Sequence, residues 1–287
     1  MAVGTTRGKR RLGRWLRPIV ERSGLKADDI ADRAICSDQT VMRLLSGRAL
    51  PSLHRFTTIL GVVGATDDER ERGLRLYRVA DADTATIQHA DHLSVKYLRF
   101  RMDEVEATRE RSLDTVIVPG ILQTPEYAEA ISHSRRRLER SPGWEERAGD
   151  ERRDRQALLR RNENPLHLHV LIHEAALRQV IGSPEIMAAQ LDHLLTMGEL
   201  PNVVVQVVPF TFGAHGAMTG PMFLMSFPED DEPDSAYAES VTGMDTIEKP
   251  EDVAGLSDTW DAIASRAPSA EQSAEIIRSA REEVAGT

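Results

Sequence analysis

The stretch LKADDIADRAICSDQTVMRLLSGRALPS, residues 25–52, constrains the fold more than any other part of this chain. Within it, KADDIADRA (26–34) places Ile30, Ala31 and Ala34 on the inner side of one short helix. Ser37 follows as an N-cap, because its hydroxyl can accept a hydrogen bond from a backbone N–H one turn on. The spacing predicts a second helix from Asp38 to Leu45 that buries Val41, Leu44 and Leu45. Gly47 ends it, since glycine tolerates the left-handed conformation just past a helix end.

Periodicity extends the helical pattern on both sides. Leu12, Trp15, Leu16, Ile19 and Val20 share a face over 10–22, with Pro18 as a discord and Gly24 as the stop. Pro51 is expected at the first turn of a helix carrying Leu53, Phe56 and Leu60 inward. Residues 67–78 make a fifth helix. The expectation is therefore an all-α N-terminal domain over 1–80. VADADTATIQHA (79–90) lacks an apolar period and reads as a linker.

Charge separates this head from the rest. Residues 1–60 hold 12 Lys/Arg against 5 Asp/Glu, a net of +7, while the remainder nets −17 and the whole chain −10. A basic head on an acidic body suits a local contact with phosphates, because attraction depends on the surface that faces them. The head thus reads as a helix-turn-helix that contacts double-stranded DNA: Ala31 is the small residue where the second helix packs, and Asp38, Gln39, Thr40 and Arg43 form its exposed N-terminal face. Gln39 suits an adenine edge and Arg43 a guanine edge. Ser37, Thr40, Arg48 and Ser52 are expected at phosphates, with Arg10, Arg11 and Arg14 following the neighbouring backbone. A single cysteine, Cys36, excludes an internal disulfide framework and a cysteine-based zinc site. No apolar run is long enough to cross a bilayer, and no apolar segment follows the basic N-terminus, so a cytoplasmic protein without a signal peptide or membrane partner is expected.

The body, 91–287, reads as mixed α/β (α+β). A long amphipathic helix is expected over 92–111, with Leu93, Tyr97, Phe100 and Val105 inward, followed by a strand-like TVIV (115–118). Thr124, Pro125 and Glu126 look like a helix start. Residues 135–161, dense in arginine, read as a solvated helix pair. LHLHVLI (166–172), a helix at 184–197 and NVVVQVVPF (202–210) predict a parallel strand pair with a crossover. Residues 222–227, 235–240 and 244–249 are short enough for antiparallel strands, and the tail from 251 to 283 reads as helical and polar.

Motifs for catalysis are absent: there is no G-x-S-x-G elbow, no Walker A loop, and no G-x-G-x-x-G after a strand. His167, His169 and His173 would share a strand face beside Glu174, but spacing on one strand does not make ligands converge, so neither metal nor cofactor is expected. A ligand site is more plausible where the glycine-rich loop FGAHGAMTGP (212–221) follows a buried strand. Its candidate residues are Glu174, Arg178, Phe212, His215 and Met218.

Two resemblances complete the reading. Leu25, Ile30, Ala31, Ser37, Val41, Arg43, Leu44, Gly47, Arg48 and Pro51 match the pattern of Cro/XRE-type helix-turn-helix regulators. Ile35 stands where a turn glycine is usual, so the turn is either not left-handed there or strained. Met42 replaces a serine and Leu45 a glutamate, the latter expected to bury against another element. VPGILQTPEYAEAI, HVLIHEAALRQVIGSPEIMAAQLDHL, PNVVVQVVPF and GAHGAMTGPMFLMSF resemble the C-terminal domain of unknown function common in actinobacterial helix-turn-helix regulators. The resemblance implies transcriptional control, often with a small partner protein. The expectation is a homodimeric, non-enzymatic regulator whose body senses a small-molecule effector or partner protein. The alternative is an antitoxin-like interaction module for which DNA binding is secondary.

Overall fold

The computed structural model describes residues 7–82, 93–134, 144–228, 233–247 and 249–286. It divides into two compact units, Met1–Ile87 and Gln88–Thr287.

The first unit is all helix: α1 (Arg7–Ser23), α2 (Ala27–Arg33), α3 (Asp38–Leu45), α4 (Leu53–Val62) and α5 (Asp67–Ala82). Leu12, Leu16, Ile30, Val41, Leu44, Phe56, Ile59 and Leu60 form its core, each with almost no exposure. Pro18 lies inside α1, on the exposed side, and does not end the helix. Two expectations are corrected. Leu53 is exposed, because Ser52 rather than Pro51 caps α4 and puts Leu53 at the first helical position, ahead of the buried stripe Phe56, Ile59, Leu60 and Val63. Residues 79–82 are helix rather than linker: Ala80 is buried, and the preceding turn is anchored by the Tyr77 hydroxyl, which donates to the Pro51 carbonyl at 2.7 Å. The rest of the expected linker lies outside the described residues.

The second unit contains α6 (Val95–Glu106), β1 (Arg109–Asp114), α7 (Pro125–Ser134), α8 (Trp144–Ala157), β2 (His167–His173), α9 (Glu174–Arg178), α10 (Pro184–Met197), β3 (Val203–Val208), β4 (Met222–Ser226), β5 (Ser235–Ser240), β6 (Gly243–Ile247), α11 (Pro250–Ala264) and α12 (Ala270–Ala285). The strands form one sheet in the order β3-β2-β1-β4-β5-β6. β1, β2 and β3 run parallel, and β4, β5 and β6 continue antiparallel. The expected β2–α10–β3 crossover is therefore present. Leu168, Val170, Ile172, Val203, Val205, Val207, Phe223 and Tyr237 pack on one side with residues of α6, α7, α10 and α12. On the other side Leu113, Leu171, Val208, Met222 and Leu224 meet Trp260 and Ile263 of α11.

Other body expectations change. The helix expected over 92–111 stops at Glu106, and the first strand is RERSLD rather than TVIV. RERSLD carries four charges in six residues, so nothing in its composition favours a strand. Pairing on both sides holds it there: Arg109 sits opposite His167 of β2 and Ser226 of β4. Of the solvated helix pair expected over 135–161, residues 135–143 lie outside the described residues, and α8 is not solvated, since its Ala148, Glu151 and Arg155 are buried. The tail likewise contributes Ile277, Ala280 and Val284 to the core.

Candidate functional site

In the head, α3 is held at both ends. Ser37 is extended and caps the helix, its Oγ accepting from Thr40 N at 3.2 Å. The same Oγ lies 2.9 Å from Thr40 Oγ1. Two hydroxyl protons serve that pair and one sits in the shared bond, so one donor still faces outward. At the other end the Leu45 carbonyl accepts from Arg17 Nε at 3.2 Å. A Cβ on Gly13 of α1 would lie 2.6 Å from that carbonyl oxygen, so only glycine allows α1 to approach so closely. Gly47 has φ +67° and backs onto Arg10, where a Cβ would meet Arg10 Cα at 2.6 Å.

This clamp decides which side chains face out. Val41 and Leu44 are buried and Leu45 is half-buried, while Asp38, Gln39 and Arg43 are exposed. Met42 joins that surface with 58% exposure; its departure from the family's serine was visible in the sequence, its place on the exposed face was not. Asp38 Oδ1 accepts from Gln39 N at 2.7 Å, so it braces the first turn. Ser52 accepts from Arg55 N at 3.4 Å and serves as the cap of α4. Arg48 and Arg14 are exposed and Arg11 is half-buried. Arg10 is 9% exposed and lies against Gly47, so it does not present a free surface to a phosphate. Ile35 takes the left-handed conformation, φ +51°, with 85% of its surface exposed. The turn is therefore left-handed with a β-branched residue in it, a strained arrangement.

In the body, the glycine-rich loop and the end of β2 do come together, but their polar groups serve one another. Arg178 Nε donates to Glu174 Oε1 at 3.2 Å, and Glu174 Oε2 accepts from Phe210 N at 2.9 Å. Arg178 also pairs with Glu283. The Arg266 guanidinium stacks 4.4 Å from the Phe212 ring centroid. His215 packs edge-on to Phe212, its ring centroid 6.5 Å from that of His173. Partial burial, then the neighbouring His173 and Arg266, hold its pKa below the usual imidazole value. Met218 is 62% exposed at the surface. This constellation braces a loop against a strand end.

The three histidines of β2 do not converge. His169 Nε2 lies 2.7 Å from Gln206 Oε1, His173 Nδ1 accepts from Ala175 N at 3.2 Å, and His167 is exposed. Among the described residues no group of three or more His, Cys, Asp or Glu is placed to hold a metal ion.

The polar centre of the body was not legible in advance. Glu110, Ser112 and Asp114 alternate along β1 onto its covered face, all at most 4% exposed. Beside them α6 and α8 are joined by ion pairs. Arg155 Nη2 donates to Glu104 Oε1 at 2.5 Å, and Arg101 Nε to Glu151 Oε1 at 2.7 Å. Tyr97 donates to Glu151 at 2.8 Å, and Arg152 to Gln123 Oε1 at 2.9 Å. Burial would raise the Glu151 carboxyl, but Arg152, Arg101 and Arg155 together bring it down to about 2. At Asp114 burial outweighs the pull of Arg155, and Glu239 adds to it. Burial pushes it up to about 7, although the Ser112 hydroxyl donates to it at 2.7 Å.

Two family matches fit these two units. Residues 11–73 match a family described as a helix-turn-helix domain, and residues 97–279 match the family described as domain of unknown function (DUF5753). No curated protein and no solved structure matches the chain. Among the described residues no helix is long and apolar enough to cross a membrane.

Proposed function

This chain belongs to the DUF5753 family and carries a helix-turn-helix domain, and we propose that it is a non-catalytic, sequence-specific DNA-binding transcriptional regulator. The observation that carries the proposal is the division of α3: Val41 and Leu44 hold the helix down while Gln39, Met42 and Arg43 stand out on one surface. In this reading α3 enters the major groove. Gln39 and Arg43 bond base edges, and Met42 offers an apolar contact suited to a thymine methyl. Arg48, Arg14, Arg11 and the Ser37–Thr40 hydroxyl pair hold phosphates.

The body pairs two copies and senses an effector. A dimer follows because one reading helix of eight residues gives limited specificity, and two half-sites about one DNA turn apart multiply it. The body's acidity favours presenting only the head to the duplex.

Duplex binding measured as a function of salt tests the reading. Affinity should fall log-linearly and steeply with salt, and a randomised-duplex selection should return a symmetric site. Binding that ignores salt, or a sequence preference unchanged in both Gln39→Ala and Arg43→Ala, would refute it.

A further inference from the structure

The body carries an apolar ridge at the edge of its sheet where the parallel strands end. Val116 follows β1, Phe210 follows β3, Met218 leads into β4 and Val241 turns from β5 to β6, and each is more than half exposed. The register puts all four at one end: Leu113, the last residue but one of β1, is level with Met222 of β4, Ala238 of β5 and Asp245 of β6. Partly exposed His173 packs edge-on against Phe210 at 5.4 Å with His215 beyond it, so the row has no polar gap on that side. We propose that two copies of the chain pair through this ridge about a two-fold axis along β1; this rests on the pairing part of the function proposed above and gives it a place.

The span suits a second copy. Six strands give five spacings of about 4.8 Å, so the edge runs about 24 Å. A standard interface covers about 800 Å² on each partner, a disc roughly 32 Å across. Apolar side chains scattered singly need no partner, whereas a contiguous row marks a contact surface.

Charge placement sets the symmetry. Arg266 stands exposed over Phe212, at the β3 flank and on the α11 side of the sheet. Glu239 lies on β5, two residues from Tyr237 and so on the opposite side, where Tyr237 joins the other core. β1 is midway between β3 and β5. A two-fold axis along β1 exchanges both flank and side, so it carries Arg266 of each copy to Glu239 of the other. The same axis suits paired heads. α6 starts at this edge, where Lys96 pairs with Asp245, and ends at the opposite one, where Thr108 N donates to the Ser226 carbonyl at 2.9 Å. Two copies joined here have both α6 starts on the paired side, as reading neighbouring half-sites asks.

Sedimentation equilibrium of the full chain tests the surface. The parent should be a dimer, and Phe210→Glu and Val241→Glu should each raise its dissociation constant at least tenfold, with circular dichroism melting to confirm folding. Val116 lies next to the axis, so Cys36→Ser/Val116→Cys should give a disulfide-linked dimer when oxidised with copper phenanthroline. Cys36→Ser/Val204→Cys, exposed towards the other end of the sheet, should not. This cysteine pair decides the matter even where a glutamate variant fails to fold. Weakening by glutamate without the Val116→Cys link overturns the axis. A parent dimer that neither glutamate weakens and Val116→Cys does not link overturns the surface and leaves the pairing of two copies standing. A parent that stays monomeric while it binds duplex DNA overturns both, and the ridge then meets another part of its own chain or a different protein.

Discussion

Replacing Asp114 by Asn should stabilise the body at alkaline pH and leave it nearly unchanged in acid. Asp114 is 4% exposed, and burial raises its carboxyl from the ordinary 3.8 to about 7. A carboxyl with a raised folded-state pKa holds its proton more tightly in the folded chain than in the unfolded one. Its contribution to stability is therefore intact below 3.8 and is lost as pH climbs through 7. Between those values the loss runs at about 1.4 kcal/mol per pH unit and then levels off. From pH 5 to pH 8 the parent should lose about 2.5 kcal/mol through this group. Asparagine cannot titrate, and its amide oxygen still accepts from Ser112. Glu110 is pushed up by burial, by Glu104 and in part by Asp114 itself, so the substitution eases its ionisation and widens the gap further at high pH. Urea titrations at pH 5 and pH 8, followed by amide exchange in β1 and β2, measure the difference. The gap between Asp114→Asn and parent should widen by about 2.5 kcal/mol or more over that range. A constant gap would mean that Asp114 is ionised throughout, and the account of its burial would be wrong.

Other substitutions test separate contacts. Glu104→Gln removes one partner of the buried Arg155 and Arg101 pairs, and should cost about 3–5 kcal/mol in urea unfolding of the body. Ile35→Gly relieves a left-handed β-branched residue at an exposed turn and should stabilise the head by about 1 kcal/mol, read as a higher melting temperature. Gly13→Ala drives a methyl into the carbonyl end of α3; it should destabilise the head by more than about 1 kcal/mol and weaken DNA binding in a filter assay. Arg43→Ala should reduce discrimination at one base pair by about 1–3 kcal/mol in competition binding, with Met42→Ala doing less.

The head was legible because its signals are local. Ser37, Gly47 and the Val41–Leu44 spacing each specify backbone within one turn, and the structure places α3 on the residues they indicate. What the sequence did not display was tertiary. Gly13 carries no helical signal of its own, and its role emerges only where α1 touches α3. RERSLD has the charge of a helix surface and becomes a central strand because β2 and β4 flank it. Its buried carboxylates, and the arginines of α8 that face Glu104, belong to elements distant in sequence, so no window along the chain contains both partners. The structure brings the loop at 212–221 to the end of β2, and no spacing along the chain displays that Glu174 and Arg178 are there committed to each other.

The position of β1 also sets an order of events during synthesis. The hydrophobic core of the head draws on residues from Leu12 to Ala80 alone, so that core can form early. β1 waits for β2, whose register partner to Arg109 lies 58 residues further on, and for β4, whose partner lies 117 residues further on. Loops that long close slowly, and β1 stays open on one edge until β4 has been made. A nascent chain therefore has a folded helix-turn-helix head well before the sheet of its body can assemble, and conditions that stall synthesis between β2 and β4 would leave a folded head beside an incomplete body.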